Sequence, residues 1–225
     1  DSFDVDQGWR GKAQFGLIVQ GHSLNASQGS GVGDNAIEMD GAENSSWQPV
    51  TTATIYNCTV VGQPHPLGGD HGTAWRDNAR VQFRNCVFMD IGEEVVRFDN
   101  LDGDGGQGYG FQGTLDWATT WTTPYTATSA VNAPPNPGAF YRAQSSGNLI
   151  EFKDCVFFDN TYSPPLPPNA TRYTEATNRG VFAPANNNVL TTTLPITSIA
   201  RGPQVTKGGK PLLPVLTLDP RPVGA

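Results

Sequence analysis

The sequence predicts an all-β chain wound as a right-handed parallel β-helix, a solenoid with one long loop insertion and an irregular C-terminal tail. Gly and Pro number 26 and 18 of 225 residues, so chain reversals are frequent and helices short. Three segments repeat one pattern in the same N-to-C order: Thr54-Ile-Tyr-Asn-Cys-Thr-Val-Val61, Val81-Gln-Phe-Arg-Asn-Cys-Val-Phe88 and Ile150-Glu-Phe-Lys-Asp-Cys-Val-Phe157. A second strand type precedes them, and aligning Gly33-Asp34 with Gly69-Asp70 lays Asn35–Asp40 over His71–Arg76. Stacked coils need such same-direction repetition. The antiparallel neighbours of a sandwich or jelly roll reverse direction and have no reason to repeat a motif.

In chain order, Ser2–Asp6 opens the first coil, and Ala13–Gln20 follows with Leu17 in the place of cysteine. Asn35–Asp40 with Thr54–Val61, and His71–Arg76 with Val81–Phe88, form the next two coils. Glu94–Asp99 and Gly138–Arg142 both fit the first strand type ahead of Ile150–Phe157. Period-2 alternation then places Val5, Met39, Trp75, Phe98 and Tyr141 in one inward column and the three cysteines in another. The uneven spacing of these coils suits a solenoid, in which each coil needs only its neighbour's strands, about 4.8 Å away. Cys58, Cys86 and Cys155 are odd in number and lack CxxC spacing, so they read as buried, unpaired thiols.

Residues 1–160 therefore hold the coils, and 100–138 form an insertion of Gly, Thr and Pro long enough to carry function. Residues 161–225, opening on Ser163-Pro-Pro-Leu-Pro-Pro168, are expected to be an irregular tail that packs along the solenoid or caps it. Both ends are expected to be cut from a longer polypeptide. An uncapped solenoid end exposes strand edges, so assembly through the ends is a further expectation.

Charge narrows the partners. A net charge of −7 and a pI near 4.8 leave no basic stripe for a phosphate backbone, which excludes nucleic acid. No apolar run approaches the roughly 20 residues that cross a bilayer. Sequons at Asn25, Asn44, Asn57 and Asn169 favour an extracytoplasmic location.

The Asn-Cys-Val-Phe strand ends, the Asp4-Val-Asp-Gln-Gly-Trp-Arg-Gly11 opening and the closing Leu218-Asp-Pro-Arg-Pro-Val-Gly-Ala225 resemble secreted bacterial β-helix proteins of the pectate-lyase-like superfamily. The resemblance covers most of residues 1–160 and the last eight residues. It implies the fold and a secreted or cell-surface location, and it leaves the activity open among lyases, hydrolases and adhesins.

Three groups of residues could carry chemistry. The outward column Asp6, Asp40, Arg76, Asp99 and Arg142, beside Asp4, Glu38 and Arg97, is either a self-neutralising ion-pair ladder or, by the resemblance, the site of a Ca²⁺-assisted polysaccharide lyase acting on acidic glycans. In the lyase, Arg76 or Arg97 would act with Asp40 and Glu38. Asp99, Asn100, Asp102 and Asp104 alternate oxygen ligands before Gly as a calcium loop does, without the closing acid, so Ca²⁺ is the one cofactor suggested. Tyr109, Phe111, Trp117, Trp121 and Tyr125 crowd the insertion, where aromatics form either a stacking platform or the loop's own small core. The platform reading ranks first for function: a scaffold that recognises a polysaccharide or a neighbouring surface protein. Under it, alanine at Trp117 and Trp121 should weaken association by roughly 2 kcal/mol per anchor and leave the fold intact.

Overall fold

The computed structural model describes residues 1–20, 35–41, 51–63, 71–92, 95–98, 117–125, 144, 146–158, 160, 186–203, 205–212 and 216–223. The strands are short because polar corners interrupt each apolar run, and each coil lays down three. The first coil holds β1 (Phe3–Val5), β2 (Lys12–Gln14) and β3 (Leu17–Val19). The second holds β4 (Ile37–Asp40), β5 (Thr52–Tyr56) and β6 (Thr59–Val61), and the third β7 (Thr73–Arg76), β8 (Arg80–Arg84) and β9 (Val87–Met89). The fourth holds β10 (Val96–Phe98), β11 (Glu151–Lys153) and β12 (Val156–Phe158), and β13 (Val189–Thr191) adds a fifth strand to one sheet. Equivalent strands pair in parallel into three sheets: β1-β4-β7-β10, β2-β5-β8-β11 and β3-β6-β9-β12-β13. The result is a β-helix-like solenoid, and the described part of the insertion adds a single helical turn, α1 (Trp117–Thr120).

Alternation sends one residue type inward on every sheet. In the first sheet Val5, Met39 and Trp75 form the inward column that the sequence predicts, and Phe98 pairs with Trp75 in backbone register. Tyr141 lies outside the described residues. In the second sheet the column is Ala13, Ile55, Phe83 and Phe152, and in the third Ile18, Val60, Phe88 and Phe157, with exposed Leu190 next in register. Phe83 stacks on Phe152 with centroids 4.8 Å apart, and Phe88 on Phe157 at 5.8 Å. One-rung spacing lets rings lie nearly parallel, which adds about 1 kcal/mol per pair to area burial.

A polar corner joins the second and third sheets. Phe15, Asn57, Asn85, Asp154 and Asn187 occupy it in successive coils, all with φ between 52° and 62°. The left-handed conformation turns the chain in one residue, and Asn and Asp tolerate it where most side chains do not. This is the physical content of the repeated Asn-Cys and Asp-Cys pairs. Asn85 Nδ2 donates to Asn57 Oδ1, and Asn187 Nδ2 to Asp154 Oδ1 at 2.8 Å. Phe15 breaks the pattern at φ 62°, a conformation that costs a non-glycine residue about 1–2 kcal/mol. Phe15→Asn should therefore stabilise the chain by about 1 kcal/mol in urea titration; an unchanged or lowered midpoint would contradict the strain.

The next position inward is the thiol column. The register places Gly16, Cys58, Cys86, Cys155 and Asn188 one above another, and all three cysteines are buried and free. Gly16, not Leu17, stands in the cysteine place; Leu17 pairs with Thr59 and is 49% exposed. Likewise Ala53, not Thr54, pairs with Val81. Phe15 sits on the corner with Ala13 in the inward place, and Ile55 rather than Tyr56 pairs with Phe83. A Cβ on Gly16 would lie 2.9 Å from Cys58 Sγ, so glycine leaves room for the first thiol. At the other end Asn188 accepts the Cys155 N–H at 3.0 Å and donates to Phe152 O at 2.8 Å.

The described part of the tail is paired rather than irregular. β14 (Ile196–Arg201) runs antiparallel to β17 (Leu216–Pro222), and between them β15 (Val205–Lys207) pairs with β16 (Lys210–Leu212). Gly208 and Gly209 have φ of 60° and 74°, the two positive values of a tight hairpin turn. Ile196 packs with Val61 and Met89, flanked by Val87, Phe158, Leu194, Ile199 and Leu218. This ribbon thus covers the outer side of the third sheet around Val61, Val87, Met89 and Phe158.

Candidate functional site

The outer side of the first sheet gathers the charged candidates. Registers align Asp4, Glu38, Ala74 and Arg97 in one column and Asp40 with Arg76 in the next, as the sequence predicts. The acids therefore occupy the first two coils and the arginines the last two. Arg97, Asp4 and Asp6 are exposed, whereas Glu38 is buried although it points outward. Asp99 lies outside the described residues.

Glu38 is the centre of this surface. Arg76 Nη1 forms an ion pair with Glu38 Oε1, and Asn35 Nδ2 donates to Glu38 Oε2 at 3.3 Å. His71 Nδ1 lies 2.9 Å from Asn35 Oδ1. Because the Asn35 amide spends an N–H on a carboxylate, its oxygen faces the imidazole, which assigns the donor role to His71 Nδ1. Imidazole, amide, carboxylate and guanidinium thus make one hydrogen-bonded row across the second and third coils. Asn35 and His71 were not among the sequence candidates. Their signal was the alignment that laid one over the other, since residues one coil apart are neighbours in a solenoid.

Burial pushes the Glu38 carboxyl above its ordinary value; Arg76 and Asn35 oppose this, while Asp40 and Asp4 add to it. Glu38 therefore contributes stability that is fully present below its unfolded-state pKa and lost as pH rises through the raised folded value. Relative to Glu38→Gln, the wild type should lose stability as pH climbs from about 4.5 toward neutrality, read from urea midpoints across that window. A wild-type gain over the variant on raising pH would have the wrong sign.

A second polar cluster lies on the outer side of the second sheet. Arg84 forms an ion pair with buried Glu151, and Glu151 Oε2 also accepts the Asn148 N–H at 3.0 Å. Gln82 Nε2 donates to Ser146 O at 2.7 Å and Asn148 O at 2.6 Å. These contacts seat the returning end of the insertion. Residues from within the insertion run beside it: Leu149 N donates to Thr123 O at 2.9 Å and Tyr125 N to Gly147 O at 3.0 Å.

The aromatic candidates separate. Trp121 is 8% exposed, 5.4 Å from Trp75 and 6.2 Å from Phe152 between ring centroids, so it belongs to the solenoid core. The expectation that Trp121 can be removed without cost to the fold is corrected by this placement, because its ring packs on Trp75 of β7 and Phe152 of β11. Tyr125 is half-buried. Trp117 lies in α1. Tyr109 and Phe111, and the calcium-loop candidates Asp99, Asn100, Asp102 and Asp104, fall outside the described residues, as does Arg142.

The thiols are chemically quiet. Hydrogen bonding to Cys155, with burial, pushes Cys86 up to about 12, and hydrogen bonding to Cys86, with burial, raises Cys58. Such thiols stay protonated at neutral pH and are poor nucleophiles. Among the described residues no helix is long and apolar enough to cross a membrane. Comparisons with protein-family models, curated proteins and solved structures find no match to this chain.

Proposed function

We propose that this chain is a secreted or cell-surface recognition scaffold, a right-handed parallel β-helix of the pectate-lyase-like kind, whose ligand is an extended carbohydrate. The observation that carries the reading is the outer side of the first sheet, where Asp4, Glu38, Asp40, Arg76 and Arg97 stand at fixed rung spacing. Rigid strands hold these groups in place before a ligand arrives, which lowers the ordering cost of binding. Exposed Arg97 and the half-exposed Arg76 suit carboxylates or hydroxyls of a sugar chain, and Asp4 and Asp40 suit hydroxyl donors.

Native affinity gels containing polygalacturonate, xylan or hydroxyethylcellulose test the reading. At least one polymer should retard the protein, and Arg97→Ala should weaken that retardation by about tenfold in Kd, a loss of roughly 1.4 kcal/mol. No retardation by any of the three removes the glycan reading.

The lyase remains the second reading because a carboxyl raised by burial lies beside an arginine, a pairing that acid–base chemistry uses. It requires unsaturated product, seen as ultraviolet absorbance, from a polyuronate with Ca²⁺ supplied. Glu38→Gln and Arg76→Ala would each abolish that signal.

A further inference from the structure

We propose that the corner between the second and third sheets is a second glycan-binding line, with Phe15 as its aromatic anchor and the side chains of Asn57, Asn85, Asp154 and Asn187 as its hydrogen-bonding row. The inference rests on the carbohydrate reading above and assigns a different surface to it. Phe15 is 76% exposed. Its exposure is not an effect of lying in the first coil, because Asn85, which has coils on both sides, is exposed at the same corner position. A ring placed here faces solvent in any coil.

The backbone strengthens the argument. Four coils put Asn or Asp at a φ near 55° and the first puts Phe at 62°, so an aromatic is kept in the one conformation that penalises it, with no burial to offset the cost. Strain of this kind clusters at ligand-contacting positions. The chemistry then names the ligand class. A ring face open to solvent stacks on the C–H face of a sugar, and a row of amide and carboxylate groups at rung spacing, about 4.8 Å, presents to successive hydroxyls the donors and acceptors left over from the Asn85–Asn57 and Asn187–Asp154 bonds within it. Exposed Lys153 and half-exposed Tyr56 flank the row.

Phe15→Asn is the decisive variant, because it removes the ring and adopts the corner conformation more easily than the wild type does. In affinity gels of xylan and of hydroxyethylcellulose, Phe15→Asn should weaken retardation at least tenfold while its urea midpoint rises. Asn85→Gly, which also accepts positive φ, should weaken retardation in the same gels. If both variants are retarded like the wild type while Arg97→Ala is not, the corner line is overturned and the first-sheet surface stands. If the wild type is retarded by neither polymer, the corner line is overturned, and retardation by polygalacturonate alone would leave only the first-sheet reading.

Discussion

Trp121→Ala should destabilise the protein by about 3–5 kcal/mol, the range for deleting a buried aromatic ring. The ring lies against Trp75 and Phe152, both fully buried, and its removal would open a cavity where the third coil's core meets the fourth. Asn148 Nδ2 donates to Trp121 O at 2.6 Å, so the backbone at this position is tied down and cannot slide to fill the void. Trp121→Phe should keep most of the packing and lose less than half as much. Urea denaturation followed by tryptophan fluorescence measures both. A Trp121→Ala protein as stable as the wild type, altered only in ligand binding, would return this residue to the surface platform that the sequence suggested.

The second large effect concerns Arg84. Replacing it by Met leaves the Glu151 carboxylate buried without its guanidinium, which costs about 3–5 kcal/mol for a pair of this kind. Arg84 also donates to Gln82 Oε1 at 3.3 Å and Ser146 O at 3.4 Å, so its loss loosens the returning end of the insertion. The double variant Arg84→Met with Glu151→Gln removes the orphaned charge and keeps an acceptor for the Asn148 N–H. It should recover most of the loss. A double variant as unstable as Arg84→Met would mean that the charge is not what matters.

The inward columns were legible because alternation in a strand is a property of neighbouring residues, and Met39, Trp75 and Phe98 alternate with Glu38, Ala74 and Arg97. The fifth strand was not. Asn187-Asn-Val-Leu190 repeats the corner and the strand that follows it, but Asn188 stands where three other coils carry cysteine, so the segment lacks the residue that marks the repeat. The Leu17 slip arose at the one corner where Phe stands for Asn. In the site, the columns containing Glu38 and Arg76 could be read, whereas their diagonal pairing depends on side-chain directions that spacing does not specify. His71 has no helical or triad-like partner in sequence, yet its partner Asn35 lies one coil away. Trp121 could not be placed because nothing in a Gly- and Thr-rich stretch shows that the chain re-enters the core.

The contacts that seat the insertion also bear on the order of folding. The third coil turns from β7 to β8 through three residues, Asp77–Ala79, whereas β10 and β11 are separated by the whole insertion. Loop-closure entropy rises with the logarithm of length, so completing the fourth coil costs about 2 kcal/mol more than a tight turn. Sheets joined by short links should therefore assemble first, with β11 and β12 docking onto β8 and β9 last. Trp121, the Arg84–Glu151 pair and the Gln82 clamp all sit at that late-closing seam, which makes the fourth coil the unit most prone to open on its own. Its β11 and β12 amides should exchange with solvent deuterium sooner than those of β5 and β8, which a shorter stretch of chain joins.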